Sequence, residues 1–334
     1  MTATTPTAPS ASPPPILALA KRHAAWLGPT IAVVIILGSL PFFGISLPDV
    51  LIRCCPLLLT ALAVTIPART GLVNVGGEGQ FFLGALGAAV VASGLSESTP
   101  SLVAIVLIAL GGMVFGALWA GLAALLKVAS GVNETISTLL LNYVAALIVA
   151  YAVTGPLQDP EAANFPIGAP IPDSARLPLI GDVHVGVIVA LVCAVGVSWL
   201  LARTRWGFKA RAAGGNPIAA LRGGLPVASL IVGALLLGGL LAGLGGALEV
   251  MGPDGRLRQG LGVGFGFLGF LASWLALHRP GWVVASVVLI ASISVGGDSL
   301  QIDLSLPATS VYVVTATVLL VVLGWRGNRT GEQS

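Results

Sequence analysis

The sequence predicts an all-α polytopic membrane protein of about ten transmembrane helices, and two observations carry that prediction. Hydrophobic residues are 56% of the 334 and charged residues only 9%, with a mean hydropathy of +0.99; soluble domains carry roughly 25% charged residues. The apolar residues fall in runs of about twenty, the length that crosses a bilayer's hydrocarbon core. The net charge of +3 is dispersed between those runs, which argues against a nucleic-acid surface. Cys54 and Cys55 are adjacent and Cys193 lies in an apolar run, so no disulfide framework is indicated.

Residues 1–20 begin with a stretch rich in Pro, Ser, Thr and Ala and are expected to form a disordered tail. Lys21, Arg22 and His23 follow the tail and hold it in the cytoplasm, the reverse of a signal peptide's order. The membrane domain is expected over 21–326, with a cytoplasmic tail at 327–334. Its first two spans are read at 26–45 and 50–68, bounded or kinked by Pro29, Pro41 and Pro56.

The third, RTGLVNVGGEGQFFLGALGAAVVASG over 69–94, is unlike a lipid-facing span. It holds Asn74, Glu78 and Gln80 among Gly71, Gly76, Gly77 and Gly79. Glycine-broken backbone survives at membrane depth only where it is buried in protein or lines a cavity, and ionisable groups there face the bundle interior. A broken helix near a translocation path is predicted; the other reading puts Glu78 at the headgroup boundary. The fourth span, 102–126, carries Gly112 and Gly116 at the spacing for close helix contact. The fifth, 134–153, opens NETISTLLLNY, in which Asn133 suits a helix cap. Asn142 and Tyr143 lie deeper, lining a cavity or, for Asn142, bonding to another helix.

Residues 155–183 hold six prolines and four acids with one Arg, a stiff acidic loop expected outside the cell. The sixth span, 184–201, leads to the largest basic loop, in which Arg203, Arg205, Lys209, Arg211 and Arg222 stand without an acid. Basic residues concentrate in short cytoplasmic loops. Within 203–226, Asn216 suits an N-cap, Pro217 the first helical position, and Gly223 and Gly224 a helix stop. A helix that short is not stable alone, so Ile218 and Leu221 on its one face need something to dock against: the bilayer surface, the protein's own loops, or a cytoplasmic partner.

The seventh span is read at 227–250, with Gly239 and Gly243 for packing and Glu249 near its outer end. A second glycine-interrupted segment at 251–277 leads into an eighth span beginning near Gly260. His278, Arg279, Pro280 and Gly281 turn it at the cytoplasmic side. The ninth, 282–295, precedes an outer loop with Asp298 and Asp303, and the tenth is read at 307–325. Ten spans with both termini inside put twelve Lys and Arg in the cytoplasm and four outside, namely Arg53, Arg176, Arg256 and Arg258, as the charge rule requires. Division as five plus five makes the glycine-broken segments equivalent, the pattern of an inverted repeat with a ligand near the midplane.

Catalytic motifs are absent: no phosphate-binding G-x-x-x-x-G-K-[ST] occurs, and His23, His184 and His278 are too scattered for a metal site or a triad. If ATP drives this protein, another chain must bind it.

The segments GLVNVGGEGQFFLGA (71–85), NETISTLLLNY (133–143), GGNPIAALRGG (214–224), LAGLGGALEVMG (241–252) and GFGFLGFLASWLALHRPGW (264–282) resemble, in order, the signature segments of bacterial ABC importer permeases. They are most similar to the nucleoside and simple-sugar branch of the group that also serves ribose and branched-chain amino acids. The resemblance implies a cell-membrane permease with no bound cofactor, ATP being used by a cytoplasmic ABC ATPase. It further implies a second permease, homologous or identical, and an extracytoplasmic substrate-binding lipoprotein. It makes Asn216, Pro217, Ile218, Leu221, Arg222 and Gly223 the coupling helix that docks on the ATPase. Asn74, Glu78, Gln80 and Asn142 match polar positions of the family's membrane motifs and, with Tyr143 and Trp274, are the expected path residues. Phe270, Ser273, Trp274 and His278 depart from the family's usual eighth-span pattern; Trp274 either narrows or stacks within a cavity or faces lipid. The rival reading is an ion-coupled secondary transporter, which also uses inverted repeats and would need Glu78 as its ion site.

Overall fold

A computed structural model describes residues 15–162, 165–304, 313 and 317, with side chains from residue 26 to residue 301 and at 313 and 317, apart from 163 and 164. The tail 1–14 and most of the predicted tenth span lie outside the described residues. The order is α1 (Pro15–Ser39), α2 (Leu47–Ala68), α3 (Gly77–Ser93), α4 (Ser101–Ser130), α5 (Glu134–Thr154), β1 (Ile167–Pro170), β2 (Leu179–Ile180), β3 (Val183–His184), α6 (Gly186–Arg203), α7 (Arg205–Gly215), α8 (Pro217–Arg222), α9 (Val227–Glu249), β4 (Arg256–Arg258), α10 (Phe265–Leu275) and α11 (Pro280–Leu304). Among the described residues, seven helical segments are long and apolar enough to cross a membrane. The chain is an all-α polytopic membrane protein.

The centre of the bundle is α9 packed against α2, α3 and α4, and glycine sets how closely those backbones approach. A Cβ at Gly116 would stand 2.4 Å from the carbonyl oxygen of Gly239, and one at Gly243 would stand 2.2 Å from that of Gly112. The two small-residue pairs marked in the sequence therefore meet each other. Where no hydrophobic drive joins helices, such backbone contact supplies the dispersion energy. The outward faces of α4, α5 and α6 are apolar and exposed, as lipid-facing surface must be.

Three expectations need correction. The outer loop assigned to Asp298 and Asp303 is helix, because α11 continues to Leu304. Asp298 is tolerated there because its carboxylate meets Arg53 Nη1 of α2 at 2.8 Å. The eighth span does not begin near Gly260: Gly260, Gly262 and Gly264 have φ of +79°, +60° and +92° and hold the chain out of helix until Phe265. At 11 residues, α10 is roughly 16 Å long and cannot cross a bilayer unaided. The basic loop also contains a helix the sequence reading omitted, α7, whose N-cap Thr204 accepts from the Gly207 N–H at 3.0 Å.

The acidic loop after α5 is built rather than irregular. β1 pairs antiparallel with β4, and β2 with β3, so the segment leading to α10 is tied to the loop after α5. Each of the four Arg assigned to this face has an acid partner: Arg53 with Asp298, Arg176 with Asp173, Arg256 with Asp159 and Arg258 with Asp254.

Candidate functional site

The two glycine-broken segments meet inside the bundle. The chain leaves α2 at Ala68, runs non-helically to Gly76 and starts α3 at Gly77. The second segment reaches α10 through the three left-handed glycines. Thr60 Oγ1 of α2 donates to the Phe265 carbonyl at 3.0 Å. Thr60 lies roughly 20 Å along α2 from Leu47 and roughly 12 Å from Ala68 at the helical rise, so the start of α10 lies at depth. Both half-helices thus begin within the span of α2.

Glu78 joins them. Its Oε1 accepts from the Gly264 N–H and its Oε2 from the Gly266 N–H, each at 2.6 Å, and the residue is 3% exposed. These are amides at the first turn of α10, where helix geometry leaves N–H groups without partners and the helix dipole favours negative charge. The backbones come so close that a Cβ on Gly266 would lie 2.1 Å from Glu78 N.

The break before α3 is held by amide side chains. Asn74 Nδ2 donates to Gln80 Oε1 at 3.2 Å and Gln80 Nε2 donates back to Asn74 Oδ1 at 3.1 Å. Asn74 also accepts from the Gly76 N–H and donates to the Ala63 carbonyl. From α5, Asn142 Oδ1 accepts from the Gly79 N–H at 2.8 Å while its Nδ2 donates to the Val75 carbonyl at 2.9 Å. Thr138 Oγ1 accepts from the Val75 N–H at 3.3 Å, and Glu134 accepts from the Val73 N–H at 3.5 Å while pairing with Lys127 at 2.7 Å. Glu134, Thr138 and Asn142 are four apart, one face of one helix.

The other predicted path residues, Tyr143 and Trp274, are 65% and 42% exposed and lie outside this network. Trp274 packs between Phe270 and His278, with ring centroids at 5.8 Å and 5.0 Å. A cavity of about 230 Å³ lies between α3, α5 and the lead-in to α10, lined by Phe82, Leu147, Ala150, Gln259 and Val263 among others. Tyr143 precedes Leu147 by four and Ala150 by seven on α5, so it shares the cavity's face of that helix.

The basic loop touches the start of the first segment. Asn216 caps α8 by accepting from the Ala219 N–H at 3.0 Å, Pro217 begins it and Gly223 closes it. Ile218 and Leu221 are 66% and 65% exposed, and Arg222 is exposed. Gly214, at the end of α7, lies against the backbone of the first segment: a Cβ there would be 2.4 Å from the Arg69 carbonyl oxygen and 2.9 Å from Gly71 N. The Arg69 guanidinium in turn donates to the His278 carbonyl beyond α10.

The sequence reading missed a network at this end of the bundle, in which Thr65 Oγ1, Ser273 Oγ and His278 Nδ1 form a chain at 2.8 Å and 2.9 Å. Leu277 and His278 have φ of +51° and +54°, a strained conformation for non-glycine residues. Burial, and then the neighbouring Arg69, push the His278 imidazole down to about 4, so the ring is neutral at physiological pH. The spacing of Glu134, Thr138 and Asn142 was a signal present in the sequence; nothing local announced the chain from Thr65 to His278.

A sequence profile of the family described as branched-chain amino acid transport system, permease component, matches residues 46–323. The chain is similar to the glucose ABC transporter permease protein TsgB13 of Haloferax volcanii, with 35% identity over 84% of this chain and 76% of the relative. It is similar to the guanosine ABC transporter permease protein NupP of Bacillus subtilis, with 29% identity over 86% and 82%. Similarity to the nucleoside ABC transporter permease protein NupB of Lactococcus lactis subsp. cremoris is 26% identity over 83% and 79%.

Proposed function

Because the chain belongs to the family of branched-chain amino acid transport system permease components, we propose that it carries a nucleoside, with a simple sugar as the second choice, into the cell by alternating access. It is an ABC permease subunit without an ATPase site of its own, ATP being hydrolysed on a separate subunit. Both substrate classes occur among the relatives, as guanosine and nucleoside permeases at 29% and 26% identity and a glucose permease at 35%. The proposal includes a cytoplasmic ATPase, a second permease, an extracytoplasmic lipoprotein, a bacterial plasma membrane, and both termini in the cytoplasm. It includes ten spans arranged as a five-plus-five inverted repeat, with α3 and α10 as the equivalent broken helices. The tail 1–20, the membrane domain 21–326 with its loops at 155–183 and 203–226, and the tail 327–334 complete it.

The observation that carries the mechanism is the contact of Gly214 with Arg69 and Gly71. A partner seated on Ile218, Leu221 and Arg222 of α8 moves α7 with it, and α7 abuts the mouth of the first broken segment. Arg69 links the same point to the end of α10. Asn74, Glu78, Gln80 and Asn142 then act on the path by holding its wall, while Tyr143 and Trp274 present surface to it. Both Glu78 oxygens are taken by backbone N–H groups, which weighs against the ion-coupled alternative. The test is uptake by the reconstituted importer carrying Ile218→Asp with Leu221→Asp, or Arg222→Glu. Uptake should be lost while the protein remains inserted; unchanged uptake would remove the docking role of α8.

A further inference from the structure

On the basic face, a cavity of about 460 Å³ lies where α6 ends and α7 turns away. Ala202, Arg203, Thr204, Arg205, Phe208, Lys209, Arg211 and Leu225 line it. Four of these are cations, and the stretch 200–229 contains no Asp or Glu. None of the ion pairs among the described residues uses any of the four. More positive charge stands behind: burial first, and then the charges of Arg211 and Arg279, lower the half-buried Arg69 from its ordinary value. This contrasts with the opposite face, where Arg53, Arg176, Arg256 and Arg258 are all paired.

The cavity is continuous with a lipid-facing stripe. Ile188, Val192, Val195 and Trp199 of α6 are exposed and recur every three or four residues, so they form one face. The next positions on that face are Ala202 and Arg203, both of which line the cavity. Phe208, 66% exposed, adds an apolar ring beside the cations. A tryptophan at the inner end of an apolar stripe, followed by cations, is the profile of a membrane boundary.

We propose that this cavity binds the headgroup of an anionic phospholipid, whose acyl chains lie along Ile188, Val192, Val195 and Trp199 while Arg203, Arg205 and Lys209 hold the phosphate. Arg211 supports the wall, because its guanidinium donates to the Leu201 carbonyl at the end of α6. A docking surface for the ATPase is a different occupant, and it fits less well: the apolar stripe leads into the membrane region, whereas the exposed apolar pair Ile218 and Leu221 lies on α8.

The full-length chain, purified in mild detergent and exchanged into mixed phosphatidylglycerol and phosphatidylcholine, is examined by native mass spectrometry. Selective retention of phosphatidylglycerol is expected. Arg205→Gln with Lys209→Gln should weaken it about thirtyfold, at the effect of one surface cation each. Both residues are exposed and cap nothing, so the variant should insert and elute as the parent does; if it does not, Arg203→Gln alone, read the same way, takes its place. Equal retention of the two lipids overturns the proposal. So does competition by inorganic phosphate or glycerol phosphate as strong as by the lipid, which would make the site one for a free phosphate. Loss of ATPase co-purification with lipid retention unchanged would assign the patch to that partner instead.

Discussion

In the first broken segment, the backbone freed from helix is bound by side chains from several places; in the second, beyond the β4 pairing, it is bound mainly by its own turns, one carboxylate and the Thr60 hydroxyl. Between Val73 and Gly79, amide and carbonyl groups are met by Glu134, Thr138, Asn142 and Asn74, and Gln80 locks Asn74 in place. Between Arg258 and Gly264, successive turns such as Val263 N to the Gly260 carbonyl and Phe265 N to the Gly262 carbonyl carry the chain. Glu78 alone reaches across from the other segment to satisfy the α10 start. The difference teaches where motion is cheap. A segment whose freed N–H groups are met by many side chains changes shape only when many bonds are lost together, whereas the α10 start, with one carboxylate on its N–H groups and the Thr60 hydroxyl on the Phe265 carbonyl, has fewer bonds to lose.

The largest effect should come from closing the gap between the segments. Gly266→Ala places a methyl 2.1 Å from Glu78 N and 2.4 Å from its Cα, and neither neighbour is a flexible side-chain end. Overpacking of this kind costs about 3 kcal/mol. Thermal unfolding in detergent should show a large fall in Tm with little monodisperse protein. A variant as stable as the parent would mean that the two backbones do not meet as described.

Glu78→Gln tests the carboxylate's hold on the α10 start. The amide oxygen can accept one of the two N–H groups, but the NH2 then faces the other donor. Charged hydrogen bonds contribute roughly 1.5–3 kcal/mol each, so a loss of about 2 kcal/mol is expected, together with slower uptake. A Glu78→Gln protein that keeps its stability while losing only ion-dependent uptake would revive the ion-coupled reading.

These residues also show how much the sequence disclosed. Glycine and polar side chains interleaved at 71–80 marked the first break, since neither belongs in a lipid-facing helix, and the α8 cap at Asn216 was readable because capping is local. The start of α10 was not, since three positive-φ glycines decide it and glycine composition alone does not state which will leave the helical region. Nor was the role of Glu78: a carboxylate's partner 186 residues away is a product of tertiary packing. The helical run through Asp298 depended likewise on a guanidinium from α2.

Redundancy in the first segment predicts smaller single losses there. Asn142→Ala frees the Gly79 N–H and the Val75 carbonyl, a cost of about 1–2 kcal/mol given that Asn74, Thr138 and Glu134 still hold the segment. Asn142→Asp keeps an acceptor for Gly79, but only its protonated carboxyl can donate to the Val75 carbonyl; ionised, it sets an acceptor against that carbonyl in a buried site, so its Tm should fall as pH rises. Ranking the three proteins by Tm across pH checks the assignment of each amide atom.

Thr138→Val is the most conservative cut and the smallest expected effect. Valine keeps the β-branch and the volume, so what disappears is the hydroxyl that accepts from the Val75 N–H at 3.3 Å and donates to the Glu134 carbonyl at 2.6 Å. A neutral hydrogen bond of this kind contributes roughly 0.5–1.5 kcal/mol, and the long Val75 bond places this one near the lower bound. Combined with Asn142→Ala, however, Thr138→Val removes a second support of the same residue, Val75, whose N–H and carbonyl the two side chains hold. The pair should therefore lose more than the sum of the singles, by at least about 0.5 kcal/mol, as groups that share one partner do. Strict additivity would mean that the two α5 side chains act on independent pieces of backbone, and the first segment would then be no more redundantly held than the second.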